Sequence, residues 1–289
     1  MSALPEKDGV RDASPAESVK AEHARMLKRG RQNKPNAEFP LQTSKCTIKF
    51  GGLVAVNELD MNVRREEIYG LIGPNGAGKT TIFNLLTGVY EPTSGEIYFE
   101  GRRIDGLRSY EISRRGVSRT FQNIRLFPSM SVLENVMTAC HRHARQNLMD
   151  AVLRLPRFER DELEHREFAI ELLEIFDLAR YKDEGGTSLP YGNQRRLEIV
   201  RALATRPTLL LLDEPAAGMN PSEQEDLMRL IKQIRDRFGL TILLVEHNMK
   251  VVMGVCERIQ VVDYGKSIAL GVPEVIKNDP KVIEAYLGD

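Results

Sequence analysis

The chain has 289 residues, 42% of them hydrophobic, with 41 basic and 41 acidic side chains and a formal net charge of zero. That length suits one large α/β domain with an inserted lobe and supplies apolar material for a real core, while the charge balance speaks against a nucleic-acid partner, which would select a basic surface. No apolar run approaches the roughly 20 residues of a membrane helix, the N-terminus lacks an apolar signal core, and Cys46, Cys140 and Cys256 lack metal-ligand spacing, as expected of neutral thiols in a reducing compartment.

Residues 1–40 are rich in Lys, Arg, Glu, Ala and Pro and nearly free of large aliphatics. They read as a disordered or loosely helical extension. Arg25, Lys28, Arg29, Arg31 and Lys34 cluster there; the cluster is either a contact for anionic lipid or a partner, or an ordinary solvated tail. From residue 41 to 289 the texture is that of one folded domain. Thr47–Phe50 and Leu53–Val63 read as strands around a Gly51-Gly52 turn. Ile68–Ile72 is a short apolar strand running into a glycine-rich loop and a helix. Gly95–Glu100 and Val117–Phe121 are further strand candidates. Helical patterning dominates from Val132 to about Ala204, with Phe168, Leu172, Ile175 and Phe176 at helix spacing. Three apolar runs follow: Thr208–Leu212, Thr241–Val245 and Ile259–Val262. They are apolar on both faces, as a buried parallel sheet requires, and a charged helical segment, Ser222–Phe238, separates the first two. This is βαβ alternation with a helical insertion at about residues 124–205.

Gly73-Pro74-Asn75-Gly76-Ala77-Gly78-Lys79-Thr80 fits the phosphate-loop pattern GxxxxGK[ST] between a strand and a helix. Glycines let backbone N–H groups approach phosphate oxygens, and the helix that follows turns its positive end to the same anion. Lys79 supplies a cation for the β and γ phosphates, Thr80 a hydroxyl for magnesium, and Thr81 a hydroxyl within reach of the α phosphate.

Leu209–Leu212 runs into Asp213-Glu214. A carboxylate at the end of a parallel strand beside a phosphate loop is placed to hold magnesium, the role expected of Asp213. Glu214 points the other way and is expected to act as general base on the attacking water. Gln122, after one strand, is placed to reach magnesium and the water; His247, after another, to reach the γ phosphate.

With those residues in place the chain resembles the ATP-binding-cassette (ABC) ATPases. The order is phosphate loop, Gln122, helical insertion, signature, Asp213-Glu214, turn, His247. The resemblance implies a P-loop NTPase cassette with a RecA-like parallel-sheet core, an N-terminal antiparallel β subdomain and an inserted α-helical subdomain. It implies ATP and Mg²⁺ as ligands and Phe50 as the aromatic residue that stacks on adenine. It also implies two cassettes closing head to tail, so that Gly192 and Gln194 of the signature serve the other subunit's nucleotide. The signature reads Leu189-Pro190-Tyr191-Gly192-Asn193-Gln194, against a common form LSGGQ, so Pro190 replaces a serine and Tyr191 a glycine. Asn220 stands where Asp is usual.

The turn Ala216-Ala217-Gly218-Met219-Asn220-Pro221, Glu246-His247-Asn248-Met249 and the ending Asn278–Gly288 narrow the resemblance. They are similar to the LivG-type ATPases of bacterial high-affinity branched-chain amino acid importers. That group implies a second, different ATPase subunit, two polytopic membrane subunits, an external solute-binding protein, and a place on the cytoplasmic face of the inner membrane. A lipopolysaccharide-export ATPase, a soluble cassette ATPase acting on DNA or ribosomes, and a non-hydrolysing regulatory relative are the alternatives. The first usually keeps a serine–glycine signature, and the last would lack residues that are all present here. Leu126, Phe127 and Pro128, beside Gln122, are either a groove wall for a membrane subunit's helix or plain lobe core. Removing residues 1–40 is expected to leave ATP binding intact. A truncated chain that is folded by circular dichroism yet binds no ATP would contradict this.

Overall fold

The computed structural model describes residues 38–140 and 156–287; the expectations for residues 1–37, the basic cluster included, lie outside them. Two sheets organise the chain. Strands β1 (Leu41–Phe50), β2 (Leu53–Val63), β4 (Ser94–Phe99) and β5 (Arg102–Arg103) form an antiparallel sheet in the order β2-β1-β4-β5. Strands β3 (Ile68–Ile72), β6 (Val117–Arg119), β7 (Leu209–Asp213), β8 (Thr241–Val245), β9 (Arg258–Asp263) and β10 (Lys266–Gly271) form the second, in the order β10-β9-β3-β8-β7-β6. All its pairings are parallel except that of β10 with β9. The expected strands are present, with β1 longer than Thr47–Phe50 and β6 ending two residues before Phe121.

The apolar runs are apolar on both faces because the parallel sheet is covered on both. Ile68, Ile72, Leu210, Leu212, Ile242 and Leu244 face one core. Tyr69, Leu71, Leu209, Leu211, Leu243 and Val245 face the other. The second core lies between the two sheets. It takes in Ile82, Phe83, Leu85 and Leu86 of α1 (Lys79–Leu86), the helix that follows the glycine loop. Each such side chain contributes about 1.5–3 kcal/mol on leaving water, so that helix is fixed firmly behind the loop it starts from.

A short helix α2 (Ser109–Arg114) precedes β6. Helices α3 (Val132–Cys140), α4 (Pro156–Ile175) and α5 (Tyr191–Ala204) then pack on one another between β6 and β7. The helical stretch expected as far as Ala204 is interrupted by single 3₁₀ turns at Ala179–Tyr181 and Gly186–Ser188. Helix α6 (Pro221–Phe238) joins β7 to β8 and α7 (Met249–Val255) joins β8 to β9. Helices α8 (Pro273–Lys277) and α9 (Pro280–Leu287) close the chain after β10. Burial pushes the thiols of Cys46 and Cys140 up to about 11 and that of Cys256 to about 12, and all three are free. None of the described helices is long and apolar enough to cross a membrane.

In the inserted lobe the fully buried Asn135 holds the loop after Gln122. Its Oδ1 accepts from the Phe127 N–H at 2.8 Å, and its Nδ2 donates to the carbonyls of Phe127, Met130 and Ser131 at 3.0–3.2 Å. The loop thus exposes Phe127 and Pro128 while burying Leu126, which is lobe core. Asn135→Ala would strand a buried N–H and is expected to cost about 1–3 kcal/mol in urea unfolding. A change within error would remove Asn135 as the anchor.

Candidate nucleotide site

The glycine loop leaves β3 and enters α1. Gly78 sits at φ 100°, and a Cβ there would lie 2.5 Å from the Ala55 carbonyl oxygen. At Gly73 a Cβ would lie 2.0 Å from the Val262 carbonyl oxygen. The loop is therefore pressed between β2 and β9, and only glycine fits at its two ends. Pro74 and Ala77 are buried, while Asn75 and Gly76 stand exposed at the tip. Lys79 folds back over the loop, and its Nζ donates to the carbonyls of Gly73 (2.6 Å) and Pro74 (2.8 Å). Thr80 is exposed on the first turn of α1 and Thr81 half-buried.

Asp213 and Glu214 end β7 beside this loop. Asp213 is buried and paired with Arg119, whose Nη2 lies 2.7 Å from its Oδ2. Arg119 also donates from Nη1 to Asn84 Oδ1 on α1 at 2.8 Å. Glu214 lies in the left-handed region at φ 48°, and its N–H continues the sheet ladder to the Val245 carbonyl at 2.8 Å. Its carboxylate is the meeting point of the site. Gln122 Nε2 donates to Glu214 Oε2 at 2.8 Å, and His247 Nδ1 stands 3.5 Å from Glu214 Oε1. Residues 122, 214 and 247, far apart in the chain, thus converge on one carboxylate. Neither Asp213 nor Glu214 caps a helix: Asn220 and Glu223 form the capping box of α6.

Glu246, named in the sequence only as part of a motif, is 1% exposed. Its Oε1 accepts from the Ala216 N–H at 2.7 Å and its Oε2 from the N–H groups of His247 and Asn248 at 3.1 and 3.2 Å. Burial raises its carboxyl above the usual carboxylate range, and the three N–H groups offset only part of that rise. It clips the turn after Glu214 to the segment that carries His247.

The signature opens α5, with Pro190 at the N-cap. Gln194, expected to face a partner's nucleotide, instead donates to the carbonyls of Thr187 (3.1 Å) and Leu189 (2.8 Å) and closes its own loop. In the five-residue form LSGGQ the last place belongs to Asn193, one residue earlier. Gly192 fits closely against α6: a Cβ on it would come 2.8 Å from Glu223 Oε1. Phe50 is 44% exposed and meets Tyr90, 38% exposed, edge to face at 5.2 Å. Tyr90 and Arg119 escaped sequence reading because neither lies in a spaced motif, and the role of Glu246 because it depends on Ala216, 30 residues away; the signal for Arg119 was its place three residues before Gln122.

The geometry is matched by known proteins. A family model described as ABC transporter matches residues 56–217. The chain belongs to the ABC transporter family. A second model, described as branched-chain amino acid ATP-binding cassette transporter, matches residues 266–289. Among relatives, BraF of Pseudomonas aeruginosa, a high-affinity branched-chain amino acid transport ATP-binding protein, is 47% identical over 86% of this chain and 98% of its own. LivG of Escherichia coli, described in the same words, is 47% identical over the same shares. LptB of Haemophilus influenzae, a lipopolysaccharide export ATP-binding protein, is 38% identical over 81% of this chain and 91% of its own. An ABC transporter cassette crystallised in its ADP conformation superposes with a TM-score of 0.75 at 28% identity, covering 88% of this chain and all of that one. The expected cassette fold is thereby established, as is ATP as the ligand class of the family.

Arg119 and Asp213 are both nearly excluded from solvent, at 8% and 6% side-chain exposure. Arg119→Met would leave a buried carboxylate without its counter-charge and is expected to cost about 3–5 kcal/mol in equilibrium unfolding. A cost below about 1 kcal/mol, the scale of an exposed pair, would contradict this.

Proposed function

We propose that this ATP-hydrolysing ABC subunit energises uptake of branched-chain amino acids or related small solutes. The observation that carries the hydrolytic reading is the convergence of Gln122 and His247 on Glu214 at a strand end beside the glycine loop. The solute reading is supported by the match of residues 266–289 and by the higher identity to BraF and LivG than to LptB. The lipopolysaccharide-export alternative is correspondingly weaker.

The residues fit ATP and magnesium. Gly73 and Gly78 let the loop pack against the Val262 and Ala55 carbonyls, while Gly76 at the tip has open space around it where a phosphate can approach the backbone. Lys79 exchanges the Gly73 and Pro74 carbonyls for β and γ phosphate oxygens, and Thr81 serves the α phosphate. Phe50, with Tyr90 behind its edge, offers a ring to adenine. Magnesium is commonly held by one or two carboxylates together with substrate phosphates, and Asp213 is the carboxylate placed for it. Thr80, Asp213 and Gln122 would hold it. Bound there, the ion neutralises phosphate charge. Asp213 becomes available to it when Arg119 gives up that carboxylate and keeps Asn84 and Thr87.

Glu214 takes the proton of the attacking water as its oxygen bonds the γ phosphorus in line and the bond to the β-phosphate oxygen breaks, leaving ADP and phosphate. Gln122 and His247 orient that carboxylate and the transferring group, and Lys79 stabilises the charge that develops. Gly192 offers the N–H groups at the start of α5 to a partner's nucleotide. Pro190 has neither hydroxyl nor N–H to add, so a differently equipped second ATPase subunit completes the dimer. Two membrane subunits hold the pair at the cytoplasmic face of the inner membrane, the exposed Phe127 lining their docking groove, and an external binding protein selects the solute.

Glu214→Gln is expected to keep ATP binding and to lose hydrolysis by about 10²–10⁴-fold, measured as phosphate release in the assembled complex. Near-wild-type turnover by that variant would remove Glu214 as the base.

A further inference from the structure

Tyr191 stands in the signature where glycine is usual, and neither phosphate binding nor Glu214 chemistry accounts for it. Its hydroxyl has a definite partner. Arg195, one helical turn on and 5% exposed, donates to the Tyr191 oxygen from Nε at 3.1 Å and from Nη2 at 2.8 Å. The same guanidinium donates from Nη1 to the Phe121 carbonyl at 2.9 Å and from Nη2 to the Gln122 carbonyl. Its planar fork is thereby fixed at one edge by a phenol and spent at the other on two consecutive main-chain carbonyls.

Two more residues of α5 grip the same loop. Glu198 Oε1 accepts from the Arg125 N–H at 2.6 Å, and Arg201 Nη1 donates to the Arg125 carbonyl. Positions 195, 198 and 201 are spaced by three and share one helix face. The loop of residues 121–125 is therefore fastened to the signature helix at four main-chain atoms. The ring of Tyr191 meanwhile lies against the turn after Glu214: a Cβ on Gly218 would fall 2.8 Å from Tyr191 Cε1, and Gly218 holds φ 74°. Tyr191 thus meets the turn after Glu214 directly and the Gln122 loop through Arg195, and these are the two segments whose side chains meet in the hydrogen bond from Gln122 to Glu214.

We propose that Tyr191 is a positioning residue for hydrolysis, its hydroxyl orienting Arg195 so that the Gln122 loop and the turn after Glu214 move with the start of the signature helix. A nucleotide held by the partner subunit against the N-terminus of α5 is then felt at this subunit's own carboxylate. The step is conformational and involves no change in bonding. It rests on the roles given above to Gln122 and Glu214.

The test is Tyr191→Phe in the full chain, which removes the hydroxyl and keeps the ring on Gly218. Amide hydrogen exchange of residues 121–125 is expected to rise while that of β7 and β8 holds. Single-turnover hydrolysis is expected to slow by about tenfold, the scale of one hydrogen bond to a charged group, with equilibrium ATP binding unchanged. In a Gln122→Ala background the same change is expected to add nothing. Unchanged exchange at residues 121–125, an equal loss in ATP binding, or additive losses in the double variant would each overturn the proposal. Unimpaired hydrolysis by Gln122→Ala alone would sink the assigned role of Gln122 and this proposal together, whereas the other failures sink this proposal only.

Discussion

The parallel register of β3, β8 and β7 is the constraint from which the site follows. Leu71 lies opposite Val245, and Val245 opposite Asp213, so the three strands end at one level. The residues that come next are the glycine loop, Glu246-His247 and Glu214. A one-residue slip in either pairing would turn every side chain to the other face and would exchange the two cores along with Asp213 and Glu214. The burial of leucines on both faces of β7 opposes that slip, and so the site inherits its precision from the core.

Within that frame buried polar groups tie separate segments together, some through backbone and some through side chains. Glu246 holds three N–H groups on two segments, Arg195 two carbonyls, and Arg119 joins Asp213 to α1. Most of these groups are buried, where an unpaired charge is costly. Each arrangement is therefore close to all-or-none, and the elements they join shift as units. Lys79 is different. It is half-buried and donates to two carbonyls of its own loop, neutral acceptors weaker than an anionic one.

Much of this was legible in the sequence because it resides in residue type and spacing. The glycine loop, Asp213, Glu214, Gln122 and His247 each stand at or just after the end of a strand, and strand ends of a parallel sheet meet at one edge. What was not legible depends on partners distant in the chain. Arg119 reads as any arginine until Asp213, 94 residues away, is seen beside it. The first half of β1 was missed because Lys45 sits at φ 44° and the register shifts between Thr43 and Cys46, a bulge that breaks the alternation on which strand recognition relies. Gln194 carried the right side chain for the signature but one place too far along, and the helix turns it back to the Thr187 and Leu189 carbonyls.

The claim on which all else rests is that the crowded glycine loop and Lys79 form the phosphate cradle. Equilibrium dialysis of ATP against the full chain and its Lys79→Ala variant measures this directly. Saturable binding by the parent chain and a marked loss of affinity in the variant are the expected result. A Lys79→Ala chain that binds ATP as tightly as the parent would contradict it.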